Sequence, residues 1–356
     1  MNERIFKSYF IFWFTCLLFM TGNLKAQDIH YSMFNRSSMN LNPGLIGVFA
    51  GDVRITGNYR QQWKNVPVDY KTFTTTLEYK IAPCAAKDGF FTIGAYFNND
   101  EAGDLALRTN QIGGAVSYLH SIGSKSYLSG GLQLGGSFRK FDAQNIRVDA
   151  QYLGDRFNAG LPHQENALID QLTQEGDANF LSLAAGINYR YQNTDRKNED
   201  DRGRRTRVDI GGAIYHFNQP HNNFNDATNG TLSRRFSLYG ISSFKLLPDI
   251  DLGFLISGQF QGPYQEVVVG GNGRFYLENK QNVPLNLLLG LSYRVGDALI
   301  PNISLDYRNF SFGFSYDFNV SKFDVTTNSI GGAEFSVIYT LAKVCPVEAH
   351  KICPIY

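Results

Sequence analysis

Charge is scarce in this chain. Asp, Glu, Lys and Arg make up 18% of its 356 residues and nearly cancel, to a net charge of +1. Proteins that grip nucleic acid need a basic stripe or patch, so that partner class is excluded. Long apolar runs are lacking as well. After residue 26 no stretch approaches the ~18 consecutive apolar residues of a membrane-spanning helix, so no helical span is expected. Metal chemistry finds no foothold either. The six histidines, at 30, 120, 163, 216, 221 and 350, show no H-E-x-x-H spacing.

Cysteine is limited to four positions. Cys16 follows Trp13, Phe14 and Thr15, and lipid attachment wants small residues there, so a lipoprotein is not expected. Cys345 and Cys353, in "KVCPVEAHKICPIY", are candidates for a disulfide closing a small loop in an oxidising compartment. Two free thiols are the alternative, and a metal site with His350 fits no zinc spacing. Cys16 itself lies in "MNERIFKSYFIFWFTCLLFMTGNLKA", where Arg4 and Lys7 precede an apolar run from Tyr9 to Met20. That pattern predicts a signal peptide over 1–26, cut ahead of Gln27, and hence export. The rival, a single membrane anchor, needs a longer run.

What the chain has in quantity is aromatic side chains and glycine: 28 Phe, 20 Tyr and 35 Gly, against 11 Pro. This favours strands and turns. In "FSFGFSYDFNV" (310–320), Phe310, Phe312, Phe314, Tyr316 and Phe318 occupy alternate positions, with Ser311, Gly313, Ser315, Asp317 and Asn319 between them. The same period of two recurs widely. Leu181, Leu183, Ala185, Ile187, Tyr189 and Tyr191 oppose Ser182, Gly186, Asn188, Arg190 and Gln192. Leu128, Leu132, Leu134 and Phe138 oppose Ser129, Gln133, Ser137 and Arg139. Leu285, Leu287, Leu289, Leu291, Tyr293 and Val295 form another such set. Segments of roughly 9–14 residues are long for a soluble sheet and right for a tilted barrel wall.

Such segments begin near residues 51, 72, 89, 109, 125, 179, 204, 231, 248, 264, 285, 299, 309 and 330. The fold expected is all-β, a transmembrane antiparallel barrel of about 14 strands, an even number as bacterial outer-membrane barrels have. A soluble sandwich or propeller also alternates, but the small Gly/Ser polar face and the aromatics near strand ends favour lipid outside. Aromatics then face lipid, and Asp317 with its neighbours faces the lumen. With the N-terminus in the periplasm, the short connections at 123–125, 247–249 and Arg308-Asn309 lie there too. The longest connection, about 141–178, falls outside and holds a short surface helix in "HQENALIDQLTQ" (163–174). The charged "NTDRKNEDDRGRR" (193–205) reads as a solvated hairpin tip, with a docking site as the sharper alternative.

The division expected is a signal peptide over 1–26, a luminal plug over 27–50, a barrel over 51–342 and a periplasmic tail over 343–356. The plug is assigned because "QDIHYSMFNRSSMNLNPGLIGVFAG" is too apolar for a free tail and too irregular for a strand, while a wide barrel otherwise leaves a channel. No catalytic constellation emerges. His120 and Ser121 are adjacent, and adjacent strand residues point to opposite faces. "GGNGRF" (270–275) lacks the Lys-Ser/Thr ending of a phosphate loop and reads as a glycine-softened strand or bulge. Arg54, Glu78, Arg190, Asp209, Asp306 and Asp317 are luminal ionic residues, expected to pair across the interior and stiffen it.

"MFNRSSMNLNPGLIG" carries Leu41, Asn42, Pro43, Gly44 and Gly47, "YRQQW" supplies Tyr59, Arg60, Gln62 and Trp63, and "HFNQP" (216–220) follows. The ending supplies Tyr316 and Asp317, then Gly331, Gly332 and Glu334. Together these blocks resemble the PorP/SprF family, outer-membrane proteins of the type IX secretion system in Bacteroidota. They match its N-terminal signature, with Gly44 in place of the usual Ala, its Y-R-x-Q-W block, and its S-Y-D and G-G-x-E positions. The tail after Tyr339 departs from the family, whose members often end near the last strand. The resemblance implies a barrel similar to fatty-acid-transporter barrels and a non-enzymatic, cofactor-free role in secreting or anchoring cell-surface proteins such as gliding adhesins. The partners implied are a secreted protein with a type IX C-terminal sorting domain, other secretion components and outer-membrane lipid. A plugged channel for hydrophobic or small solutes is the alternative. The signature residues above are the candidate partner-binding positions.

Overall fold

A computed structural model describes residues 28–62, 70–81, 88–102, 107–140, 152–153, 156–157, 178–193, 206–221, 230–278, 285–320 and 330–341. The expected signal peptide, Trp63, Cys84, the helix expected at 163–174, most of 193–205 and the tail with Cys345 and Cys353 lie outside these residues. Among the described residues there are sixteen strands. The first five are β1 (Val53–Gln62), β2 (Tyr70–Lys80), β3 (Gly89–Ala102), β4 (Leu107–Ser121) and β5 (Ser126–Lys140). A two-residue pair, β6 (Tyr152–Leu153) and β7 (Arg156–Phe157), stands apart. Then come β8 (Ala178–Gln192), β9 (Arg207–Tyr215), β10 (Arg235–Leu247), β11 (Ile250–Gln261) and β12 (Tyr264–Glu278). The wall ends with β13 (Leu285–Arg294), β14 (Ala298–Tyr307), β15 (Phe310–Asn319) and β16 (Ile330–Leu341).

Fourteen strands form one closed antiparallel barrel, in which every strand pairs with its sequence neighbour except where β5 meets β8 and β1 meets β16. The closing ladder runs without a break from Val53 opposite Leu341 to Gln62 opposite Gly332. Closure follows from the environment. In hydrocarbon an unpaired sheet edge has no water to satisfy it, so only helices or edgeless barrels span. The 14 expected starts fall within four residues of those observed.

Alternation sorts the side chains as the sequence requires. Phe312 and Phe318 are exposed on the outer face, as are Leu132, Leu181 and Ile187, while Ser315, Asp317 and Asn319 are buried inside. Outer aromatics stack across strands: Phe314 lies 4.9 Å from Phe335 and Phe310 lies 4.8 Å from Tyr339, centroid to centroid. The inner face differs from a simple water-lined wall. Ser315 is 0% exposed because the N-terminal segment covers it, so small inward residues here mark close packing.

Val53 and Leu341 lie at one end of the barrel, here termed the terminal end. The turns at 122–125, 248–249 and Arg308-Asn309 share that end. The wall has three register shifts, at Lys245/Leu247, Tyr276/Glu278 and Asp317/Phe318. "GGNGRF" lies within β12 as regular strand, with the shift falling beyond it at Tyr276. Between β14 and β15 the ladder skips Ile300 and Pro301, since proline brings no N–H to the rung.

Phe314→Arg, at the centre of an outward strand face, should weaken the folded barrel by about 2–4 kcal/mol. Ser243→Arg, inward and half-buried near the terminal end, should change it by less than about 1 kcal/mol. Urea unfolding in vesicles, read by heat-shifted gel mobility, separates the two. Equal losses would mean that the faces are reversed.

Candidate functional site in the lumen

Residues 28–50 make no strand. They form short turns of helix at Phe34–Arg36, Ser38–Leu41 and Pro43–Leu45. Asn42 sets the last of these. Its Oδ1 accepts from Gly44 N at 2.7 Å, and Pro43 occupies the first helical position, where a missing N–H does no harm. An irregular segment away from water must find side-chain partners for its backbone. The inward face of the wall provides them.

Ser129 Oγ donates to Gly44 O at 2.6 Å, Ser117 Oγ to Ile46 O at 2.6 Å, and Tyr215 Oη to Met39 O at 2.8 Å. Arg235 donates to Ile29 O at 3.1 Å and to Asn40 O at 3.0 Å. Asn42 Nδ2 donates to Ile187 O at 2.8 Å and to Tyr239 Oη at 2.9 Å, and Tyr239 passes its own proton to Asn188 Oδ1. Apolar side chains of the same segment, Phe34, Leu41, Leu45 and Val48, pack on Leu119, Tyr239 and Val268 of the wall. Partners on opposite sides of the barrel place this segment across the lumen.

Close approach dictates two glycines. Gly47 has φ of +83°, and a Cβ there would fall on Thr92 Oγ1, while its N–H reaches Glu78 Oε2 at 3.0 Å. Gly131 faces Pro43 O so closely that a Cβ would displace it.

The far end, opposite the termini, holds a buried ion cluster. Arg60 of β1 donates to Asp317 Oδ2 at 2.9 Å and to His30 O at 2.8 Å. Arg294 of β13 reaches the same Asp317 oxygen at 3.0 Å, Glu266 Oε2 at 3.0 Å and Ser32 Oγ at 2.7 Å. Glu334 of β16 accepts two consecutive backbone N–H groups, Ser32 at 2.7 Å and Met33 at 3.0 Å. Ser32 Oγ in turn donates to Asp317. Three wall strands and the segment are thus joined through one carboxylate. Burial pushes the neighbouring His30 imidazole down to about 4, against the opposing pull of Glu266 at 3.6 Å.

Beside it, Asp28 Oδ2 lies 2.6 Å from His216 Nε2, and His216 Nδ1 lies 2.6 Å from Ser182 Oγ. Burial alone would raise the Asp28 carboxyl, but His216 and then Arg235, at 3.4 Å, outweigh it and hold it well below the usual range. The residues match a Ser-His-Asp triad in composition. In the working arrangement, however, the serine takes the nitrogen that here bonds the carboxylate. The adjoining cavity, lined by Asn98, Gln133 and Tyr215 among others, measures about 20 Å3, and a second against Asp100, Thr109 and Arg139 about 30 Å3. These hold a water or two each, not an acyl substrate. The trio clasps the start of the segment.

The signature residues are therefore brought together only in part. Arg60, Asp317 and Glu334 converge, and with Asn42 they are 2% exposed or less, so an outside partner does not touch them in this conformation. Pro43 and Gly47 belong to the segment they hold. Tyr59 is on the outer face, Tyr316 is beside Phe318 there, and Gln62 ends β1 opposite Gly332, which follows Gly331. Of the luminal ionic residues, Arg54 pairs with Glu78 at 2.7 Å, Arg190 with Asp209 at 2.7 Å and Asp306 with Arg274 at 3.5 Å. The sequence reading did not single out Ser32, Glu266, Arg294 or the His216 clasp. Strand parity marks Glu266 and Arg294 as inward, but nothing local pairs them.

The sequence matches the family model for the type IX secretion system membrane protein PorP/SprF over residues 23–339. The chain belongs to the PorP/SprF family. It is an outer-membrane protein of that secretion system. No curated protein matches it. Among solved structures it is similar to the CymD monoaromatic hydrocarbon channel, at 11% identity, covering 91% of this chain and 96% of that one, with a TM-score of 0.48. The P. putida toluene transporter TodX has 10% identity, coverage of 85% and 93%, and a TM-score of 0.46. KdgM porin has 9% identity, coverage of 80% and 99%, and a TM-score of 0.35.

Asp317→Ala strands two buried guanidiniums, so it should destabilise the luminal segment by about 3–5 kcal/mol. Protease should then cut within 28–50 while heat-shifted mobility of the barrel persists. Gly47→Ala should likewise expose the segment, through φ and clash, whereas Gly123→Ala in an open turn should not.

The His30 value sets a pH dependence. Its folded pKa lies below the ordinary one near 6.5, so the folded segment disfavours the proton. Its contribution should be intact above about pH 6.5 and be lost progressively toward pH 4. Normalised amide exchange of residues 28–48 should rise over that window, and His30→Asn should flatten the rise.

Proposed function

We propose that this barrel is a non-enzymatic adaptor of the type IX secretion system. In this reading it helps secrete or anchor cell-surface proteins, gliding adhesins among them, by binding their C-terminal sorting domains. Family membership supplies the system. The observation that carries the adaptor role is the luminal segment, bonded to the wall from Asp28 to Phe49, with two water-sized cavities beside it. Residues 27–50 act as a plug, and a folded adhesin has no room to pass. The recognition surface is then on the rims, near Gln62, Trp63 and the Gly331-Gly332 strand start, with Arg60, Asp317 and Glu334 holding the plug rigid behind it. Cys345 and Cys353 are proposed to close a small loop in the tail.

One observation favours the rival reading, a plugged channel for hydrophobic or small solutes. The skipped rungs at Ile300 and Pro301 interrupt the β14–β15 seam, where a solute would leave sideways.

Deleting the gene should remove one or a few large proteins from the cell surface while bulk type IX secretion continues. Trp63→Ala should reproduce that loss with barrel assembly intact. A deletion strain that keeps its whole surface proteome but loses uptake of a hydrophobic solute would instead establish the channel.

A further inference from the structure

The luminal segment does not cover the inner wall evenly. At the far end Arg235, Gln259, Glu266 and Arg294 are all buried beneath it. At the terminal end of β8–β12, inward-facing Arg190, Arg207, Ser243, Asn272 and Arg274 are only half-buried. Among the described residues this leaves a polar recess toward the side on which the wall begins and ends.

Every acidic side chain named around this recess is already engaged. Asp209 accepts from Arg190 at 2.7 and 2.9 Å and from Asn188 at 3.4 Å. Asp306 takes Arg274 and also Ser311, and Asp251 accepts from Tyr276 at 2.6 Å. Arg207 stands two residues before Asp209 on the same face of β9, with Ser243 and Gln192 opposite on the flanking strands. Its guanidinium makes no hydrogen bond or ion pair with any described residue. Arg190 and Arg274 repel it, while Asp209, already held by Arg190, attracts it.

A half-buried guanidinium between two others, with no ion pair of its own among the described residues, is unfavourable by itself. An oxyanion relieves it, and the planar fork of arginine matches a carboxylate in two parallel bonds. We propose that Arg207, flanked by Arg190 and Arg274, is a carboxylate-binding site that takes an acidic side chain of a protein segment reaching into the barrel from the periplasmic end. The inward direction of Arg207 excludes lipid headgroups, which meet only the outer face. The site does not depend on the adaptor reading, because it is tested by binding rather than by surface display.

Full-length protein in lipid nanodiscs is titrated with a fluorescent, end-capped hexaglutamate peptide at low salt and followed by anisotropy. Saturable binding is expected. Arg207→Gln should weaken it about tenfold or more, and Arg207→Lys, which keeps the charge but loses the fork, should weaken it less. Arg108→Gln, at an exposed arginine of the other end, should leave it unchanged. Heat-shifted mobility verifies that each variant is folded. Absence of binding, or equal binding by Arg207→Gln, would overturn the proposal. Displacement by inorganic phosphate at concentrations matching the peptide would overturn it too, by making the site one for small free oxyanions.

Discussion

Every backbone N–H and C=O that leaves water must find a partner, and this chain meets that demand in two ways. The wall meets it with an unbroken ring of ladders, the only sheet arrangement that tolerates hydrocarbon on its outside. The segment from 28 to 50 meets it with borrowed side chains. Ser117, Ser129, Tyr215, Arg235 and Glu334 all point inward from strands and all bond to its main chain. The polar half of the alternation is therefore more than a water-facing default. It is a set of hydrogen-bonding groups matched to one irregular peptide.

The charges follow from the same demand. Lipid excludes them from the outer face, and the filled lumen excludes bulk water from much of the inner face. Arg60, Arg294, Asp317, Glu266 and Glu334 are stable there because each meets an opposite charge or a backbone dipole. Such a network is weak as a source of net stability but specific in geometry, since any mismatch leaves a buried charge. It fixes how the segment sits. Among the described residues the terminal end of the lumen is less filled, and Arg207 there is only half-buried.

This division bears on function. The elements carrying the family signature are largely those that hold the segment, not a surface open to a partner. Asn42, Arg60, Asp317 and Glu334 are enclosed, while Tyr59 and Tyr316 are on the outer face. In the proposed function, a partner of the secretion system reads the rims that this interior holds.

The sequence by itself determined the barrel. A period of two needs no tertiary information, because each side chain's face follows from its parity along the strand, and turns of Gly, Asn and Asp mark where strands end. Phe312, Leu132 and Ser315 could be assigned to faces from their positions alone, and the irregularity of 27–50 showed that it was no strand. Only the tertiary structure decided which inward residue meets which. Arg60 and Asp317 are 257 residues apart, and Ser32 and Glu334 are 302. No local pattern encodes such pairs, since they depend on the order in which strands close and the depth at which the segment crosses the lumen. For the same reason an inward arginine such as Arg294, with several partners, and Arg207, with no ion pair among the described residues, look alike in sequence.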